Sequence, residues 1–246
     1  MEVHHHAHTP RKKWTHYFWE FLMLFLAVFC GFLAELQLEH YIEHQREKQY
    51  MKSMLQDLQT DTATIKRVYN RALLQSALMD SLIELGNYHP MNEENIRKLY
   101  LLHGKTTRFL NIRFEDRTSS QLKNAGGMRL IRNEPVGNAI RQYWNEIESL
   151  ERVRDRLEIA GENIADMSSR IFYHKAFVSG DKPLDPPKGI KQGVTFINDD
   201  PKLLAEYINR VGTKSLRTKI YFGDLKTTGQ LAEDLIELIK KEYHLK

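Results

Sequence analysis

"RKKWTHYFWEFLMLFLAVFCGFLAELQLEHYIEH", residues 11–44, decides how the rest of the chain is read. Such a stretch crosses a membrane, enters a soluble core, or is cleaved as a signal peptide. Its uncharged run from Phe21 to Ala34 has 14 residues, short of the about 20 that a spanning helix needs. Extended from Tyr17 to Leu38 it has 22 residues, with Glu20 and Glu35 near its ends. Trp14, Tyr17 and Trp19 gather on the N-terminal side, where an interfacial aromatic belt sits. Glu20 then lies near headgroup depth, within i,i+4 reach of His16. Phe18, Phe21, Phe25, Phe29 and Phe32, together with Leu22, Met23, Leu24 and Leu26, make the helix apolar on all sides, whereas a surface helix carries one apolar stripe. A cleaved signal peptide fits worse, because Glu20 and the aromatics Trp14, Tyr17, Phe18 and Trp19 precede the run and no A-x-A site follows it. Bulky Phe29 before Cys30 also spoils a lipoprotein-type cleavage site. The reading is a single uncleaved signal anchor over residues 14–38.

Flanking charge orients it. Arg11, Lys12 and Lys13 precede the span without an acid among them, while Arg46 and Lys48 beyond it are mixed with Glu35, Glu39, Glu43 and Glu47. The positive-inside rule places residues 1–13 in the cytoplasm and residues 39–246 outside it. In a bacterium that means an inner-membrane protein with a periplasmic domain.

The body is composed differently from the anchor. Charged residues make up 28% of the chain, mean hydropathy is −0.53, and acids and bases are interleaved. No basic face with spaced aromatics occurs, so a nucleic-acid partner is not expected. Cys30 is the only cysteine, which excludes an intramolecular disulfide and a Cys-based zinc site.

Met51, Leu55, Leu58, Thr62, Ile65, Tyr69, Ala72, Ser76, Met79 and Ile83 alternate by four and three, a heptad seam. No Gly or Pro lies between Leu33 and Leu85, so one helix is expected to run on to Gly86. "NEENIRKLYLLHG" reads as a short helix capped by Asn92. Thr118 and Gln121 have capping-box spacing, and Asn124 to Gly127 reads as a helix C-cap. Pro135 starts a second long helix with a seam from Val136 through Ile140, Tyr143, Ile147, Leu150, Leu157 and Ile164 to Ile171, reaching about Phe177. "SGDKPLDPPKGIKQG" is a loop by its Pro and Gly content. Asp200-Pro201 is an N-cap with Pro at the first helical position, opening a helix to about Asn209. Thr227 and Gln230 repeat the capping-box spacing before a final amphipathic helix. The longest alternating pattern found is "GVTFI". The expected fold is all-α: an anchor helix continuing into a long-helix antiparallel bundle with two long antiparallel helices and shorter ones packed on them.

The basic-aromatic start, "SSQLKNAGGMRLIRN" followed by a "YW" helix, and the "LIELIKKEYHL" end resemble a family of single-pass membrane proteins of Bacteroidota that carries no assigned activity. That resemblance implies location and helical architecture only. More loosely, a membrane-rooted antiparallel bundle is similar to chemoreceptor sensor domains, although a second span and a signalling module are missing.

Four sequence features are candidates for chemistry. His40, Glu43 and His44 stand in the H-x-x-E-H order of inverted zinc peptidases, with both histidines on one helical face. A third ligand is not evident, and a polar collar beside the membrane has the same composition. His4, His5, His6 and His8 form a run that chelates divalent metals when flexible. Glu20 is an acid inside an apolar span, as in single-span partners of proton-driven complexes, though only about one turn from the interface. Ala27, Cys30, Gly31 and Ala34 share one face of the span and would let two helices approach closely. No phosphate loop, nucleophile elbow or catalytic triad spacing is present. The expectation is a membrane-anchored, non-catalytic binding, scaffold or sensor-like protein of the envelope. It needs no cofactor, lies in the bilayer as a homo-oligomer through the small-residue face, and binds either another envelope protein or a small ligand. The alternatives are an accessory subunit of an ion-driven complex using Glu20, or a zinc hydrolase using His40, Glu43 and His44.

Overall fold

The computed structural model describes residues 14–87, 91–106, 110–124, 126–178 and 189–245. The histidine run His4 to His8, the basic triplet Arg11, Lys12 and Lys13, and the loop at 179–188 lie outside those residues.

Among the described residues five α-helices form: α1 (Trp14–Gly86), α2 (Glu93–Thr106), α3 (Arg117–Asn124), α4 (Glu134–Ser169) and α5 (Pro201–Tyr243). The only sheet among the described residues pairs two-residue strands, β1 (Phe177–Val178) and β2 (Gly189–Ile190). The all-α expectation therefore holds. α1 is one unbroken helix of 73 residues, as the absence of internal Gly and Pro beyond Leu33 implies.

Contacts divide the chain at Tyr50. In the N-terminal unit, the segment from Trp14 to Tyr41 is exposed or nearly so at every position, and Trp14, Phe21, Met23, Leu24 and Val28 each present two thirds or more of their surface. Phe21, Phe25 and Phe29 stack one turn apart along the helix. Among the described residues this is the one helix long and apolar enough to cross a membrane, and none of its most apolar window is buried against protein.

The unit from Met51 onward is a bundle of three long helices. The predicted α1 seam is its core: Met51, Leu58, Ala72 and Met79 are fully inaccessible. A second buried stripe beside it, with Met54, Asp57, Asp61, Val68 and Leu82, arises because α1 packs against more than one neighbour. α5 runs antiparallel to α1: Asp80 binds Ser215 and Lys219, Tyr69 meets Phe222 edge-on, and Gly229 lies against Ile65. α4 runs parallel to α1, since Asp61 meets Tyr143 while Met79 and Leu82 share a core cluster with Ile164 and Met167. The sequence reading made α1 and α4 the antiparallel pair; the antiparallel partner is α5. The reason is the crossing segment from α2 through α3, which carries the chain back before α4 begins.

Two helix limits also differ. α5 is a single helix of 43 residues, not two. Its Asp200 cap is as expected, accepting from Lys202 N at 3.0 Å. Thr227, however, donates to the Gly223 carbonyl and Gln230 to Asp234, so these polar side chains bond along a helix interior instead of capping an end. α4 ends at Ser169 instead of about Phe177. Phe172 packs on Tyr100 and His103, and Tyr173 N donates to Tyr100 Oη, so an aromatic cluster takes the chain out of the helix. "GVTFI" joins that cluster through Phe196, which bridges Phe172, and forms no longer strand.

Candidate functional site

The segment between α2 and α3 builds the site. Leu110, Ile112 and Phe114 point into a core cluster with Ile65, Leu150, Leu157 and Tyr221, while Asn111, Arg113 and Glu115 face out. This is extended backbone with period two. It is as long an alternation as "GVTFI", though it pairs with no strand among the described residues.

Both ends of the segment are held by charge. At the α2 end, Lys214 Nζ and Gln75 Nε2 both donate to the Thr106 carbonyl, at 3.0 and 2.8 Å. An amine there answers the negative end of the helix dipole. Burial pushes the Lys214 amine down to about 8. At the α3 end, Asp57 Oδ2 accepts from Thr118 N at 3.1 Å and Oδ1 from Arg117 Nη2 at 2.9 Å. A helix of eight residues is marginal alone, and this one is capped from α1 instead of by its own Thr118. One turn on, Asp61 accepts from Glu115 N at 2.9 Å and from Tyr143 Oη at 2.8 Å. Burial is the largest influence on Asp61, and with Asp57 and Glu115 nearby its carboxyl is pushed up to about 6.

Above Asp57 and Asp61 lies an open groove of about 790 Å³. α1 lines one side with Met54, the crossing segment supplies Arg113, Glu115 and Asp116, α3 supplies Ser119 and Lys123, and α4 supplies Trp144, Glu148, Glu151 and Arg154. Lys123 Nζ sits 4.8 Å from the centre of the Trp144 ring and 3.5 Å from Glu148 Oε1. A volume of this size, with aromatic walls and convergent charge, suits a small ligand or a side-chain anchor of a partner.

A second cluster is filled. His103 stacks on Phe172 at 4.5 Å and bonds Tyr207 Oη at 2.9 Å. Its burial holds the imidazole down at about 4, so it is neutral and serves to tie α2 to α5.

The sequence-derived candidates fall elsewhere. Glu20 pairs with His16 at 3.5 Å, both half exposed. His44 pairs with Glu47 at 3.6 Å, and among the described residues no three His, Cys, Asp or Glu side chains converge as a metal site. His40, Glu43 and His44 therefore remain two histidines and an acid on one helix, without a third ligand. Ala27, Cys30, Gly31 and Ala34 are all exposed, and a Cβ on Gly31 would meet nothing within 4 Å. The groove residues were not anticipated. Their signal was Asp57 and Asp61, two acids four apart directly beside the apolar seam, where a buried carboxylate needs partners.

Compared with known protein families, with curated proteins and with solved structures, the chain matches none.

Proposed function

We propose that this is a membrane-anchored, non-catalytic binding protein of the cell envelope, whose α-helical bundle holds its ligand or partner in the groove between α1, α3 and α4. The observation that carries the anchor is the all-round apolar, all-round exposed surface of α1 from Trp14 to Leu38. Left in water, such a surface would be a large aggregation site; a bilayer removes it from water. With the basic triplet retained in the cytoplasm, the bundle is periplasmic. The binding role rests on the groove, which is large, polar at its rim, and lined by three helices tied together through Asp57 and Asp61. The His16–Glu20 pair favours an interfacial place for Glu20 over a proton-carrying one, and among the described residues no third ligand stands beside His40 and His44, which disfavours hydrolysis.

The test uses the full chain in living bacteria. A photo-cross-linking residue at Ser119 or Asn111 should yield a discrete adduct, while one at exposed Lys226 should not. A reporter fused after Lys246 should be active only outside the cytoplasm. A cytoplasmically active reporter would overturn the anchor orientation; equal labelling at Ser119 and Lys226 would overturn the groove as the binding surface.

A further inference from the structure

We propose that the groove binds a linear alkyl polyamine, one ammonium of which takes the place over Trp144 and beside Glu148 that the Lys123 side chain now holds. The proposal rests on the binding reading above and names the chemistry of that same site.

An aromatic face together with a carboxylate is the recognition pattern for an ammonium group. Here the chain supplies the ammonium itself, at 4.8 Å from the Trp144 ring and 3.5 Å from Glu148. Lys123 is about half exposed and sits in the last turn of an eight-residue helix. An ion pair that exposed and that long is weak, so an incoming amine displaces it readily.

The remaining lining is short of cations. Six carboxylates (Asp57, Asp61, Glu115, Asp116, Glu148 and Glu151) face Arg113, Lys123 and Arg154. Asp57 and Asp61 are committed to backbone amides, Arg117 and Tyr143. Glu151 shares Arg154 with Asp155 at 3.7 and 2.8 Å. Among the described residues, no base pairs with Glu115 or Asp116. An anionic ligand would add to an existing excess of negative charge.

The spread of the carboxylates selects the kind of cation. No three of them converge closely enough for a metal ion among the described residues, which disfavours a compact divalent ion. Ammonium groups separated by methylenes suit carboxylates set apart, and Met54, Phe114 and Ile147 give the same groove apolar lining.

The test uses full-length protein in detergent micelles, carrying Trp14→Phe and Trp19→Phe, which leaves Trp144 as the only tryptophan of three. Spermidine should change Trp144 emission saturably, while 1,8-octanediol, an uncharged chain, should not. Lys123→Met removes the internal competitor and should tighten spermidine binding about three- to tenfold. Glu148→Gln should weaken it by about the same factor. Lys123→Gln serves where the methionine variant does not keep the helical circular dichroism of the parent. If neither the parent nor the Lys123 variants show a saturable response, the proposal is wrong. It is also wrong if inorganic phosphate gives that response in place of spermidine, or if Lys123→Met changes thermal stability but not affinity. A cross-linked adduct at Ser119 with no spermidine response would sink this ligand and leave the binding reading standing; loss of both would sink both.

Discussion

Replacing Asp61 with Asn is the sharpest probe of how the groove floor is built. The folded protein holds the Asp61 proton up to about 6, against an ordinary 3.8, because burial disfavours the charge and Asp57 and Glu115 repel it. The folded state therefore binds more protons than the unfolded one between about pH 4 and 6. Stability falls as pH rises through that window, and above it the ionised carboxylate imposes its full cost. About two units correspond to roughly 3 kcal/mol; water in the groove screens this to about 1–2 kcal/mol. Asn retains the geometry: its Oδ1 accepts from Glu115 N, and its Nδ2 donates to the Tyr143 oxygen once that hydroxyl rotates. Asp61→Asn should then melt about 2–8 °C higher than the parent near pH 7.5, followed by circular dichroism in detergent. The difference should shrink as pH falls through about 6 toward 4 and close by about pH 3, below the ordinary 3.8, where Asp61 is protonated in both states. A variant that is less stable than the parent by the same margin at both pH values would refute the reasoning, since the charge itself would then be stabilising or irrelevant.

Other parts of the fold make separate predictions. A methyl at Gly86 would collide with Ile208, with Cγ1 at 2.6 Å. Gly86→Ala should cost about 1–3 kcal/mol in thermal or chemical unfolding, and combined with Ile208→Ala the loss should be smaller than the sum of the two single changes. Gln75→Leu and Lys214→Met each leave one donor on the Thr106 carbonyl. Together they orphan it, so the double variant should lose about 1–3 kcal/mol beyond additivity. The parent should also gain stability as pH rises from about 8 toward 10.5, where the unfolded Lys214 amine keeps a proton the folded one has lost; Lys214→Met should flatten that slope. In membranes, mild oxidation should cross-link Cys30 to Cys30 of a second copy, and Gly31→Leu should weaken the association. A monomer in mild detergent with no cross-link would exclude the small-residue face as an interface.

The long apolar N-terminal segment and the α1 seam were legible because each is a local signal of side-chain hydrophobicity. Residues every three or four positions from Met51 to Met79 must share a face whatever packs on it. Asn92, Asn133 and Asp200 each accept a backbone N–H at a helix start, although only the first and third were named from sequence. Thr118 and Thr227 show where local reasoning fails. The same spacing marks an N-cap only if the backbone bends there. At Thr227 the helix is carried through by its packing on α1; at Thr118 the cap is made by Asp57, sixty-one residues earlier.

The sequence alone determines that this chain is helical, that one N-terminal segment is apolar on every side, and that its long helices bury seams. Those properties follow from side-chain hydrophobicity and from the 3.6-residue period, which act within a few turns of each residue. The direction of α4 against α1, the clamping of the crossing segment by Lys214 and Asp57, and the groove over Asp61 belong to the tertiary structure. They depend on charges and hydrogen-bonding groups far apart in the chain, whose energies appear only once folding removes them from water and sets them within about 3 Å of one another.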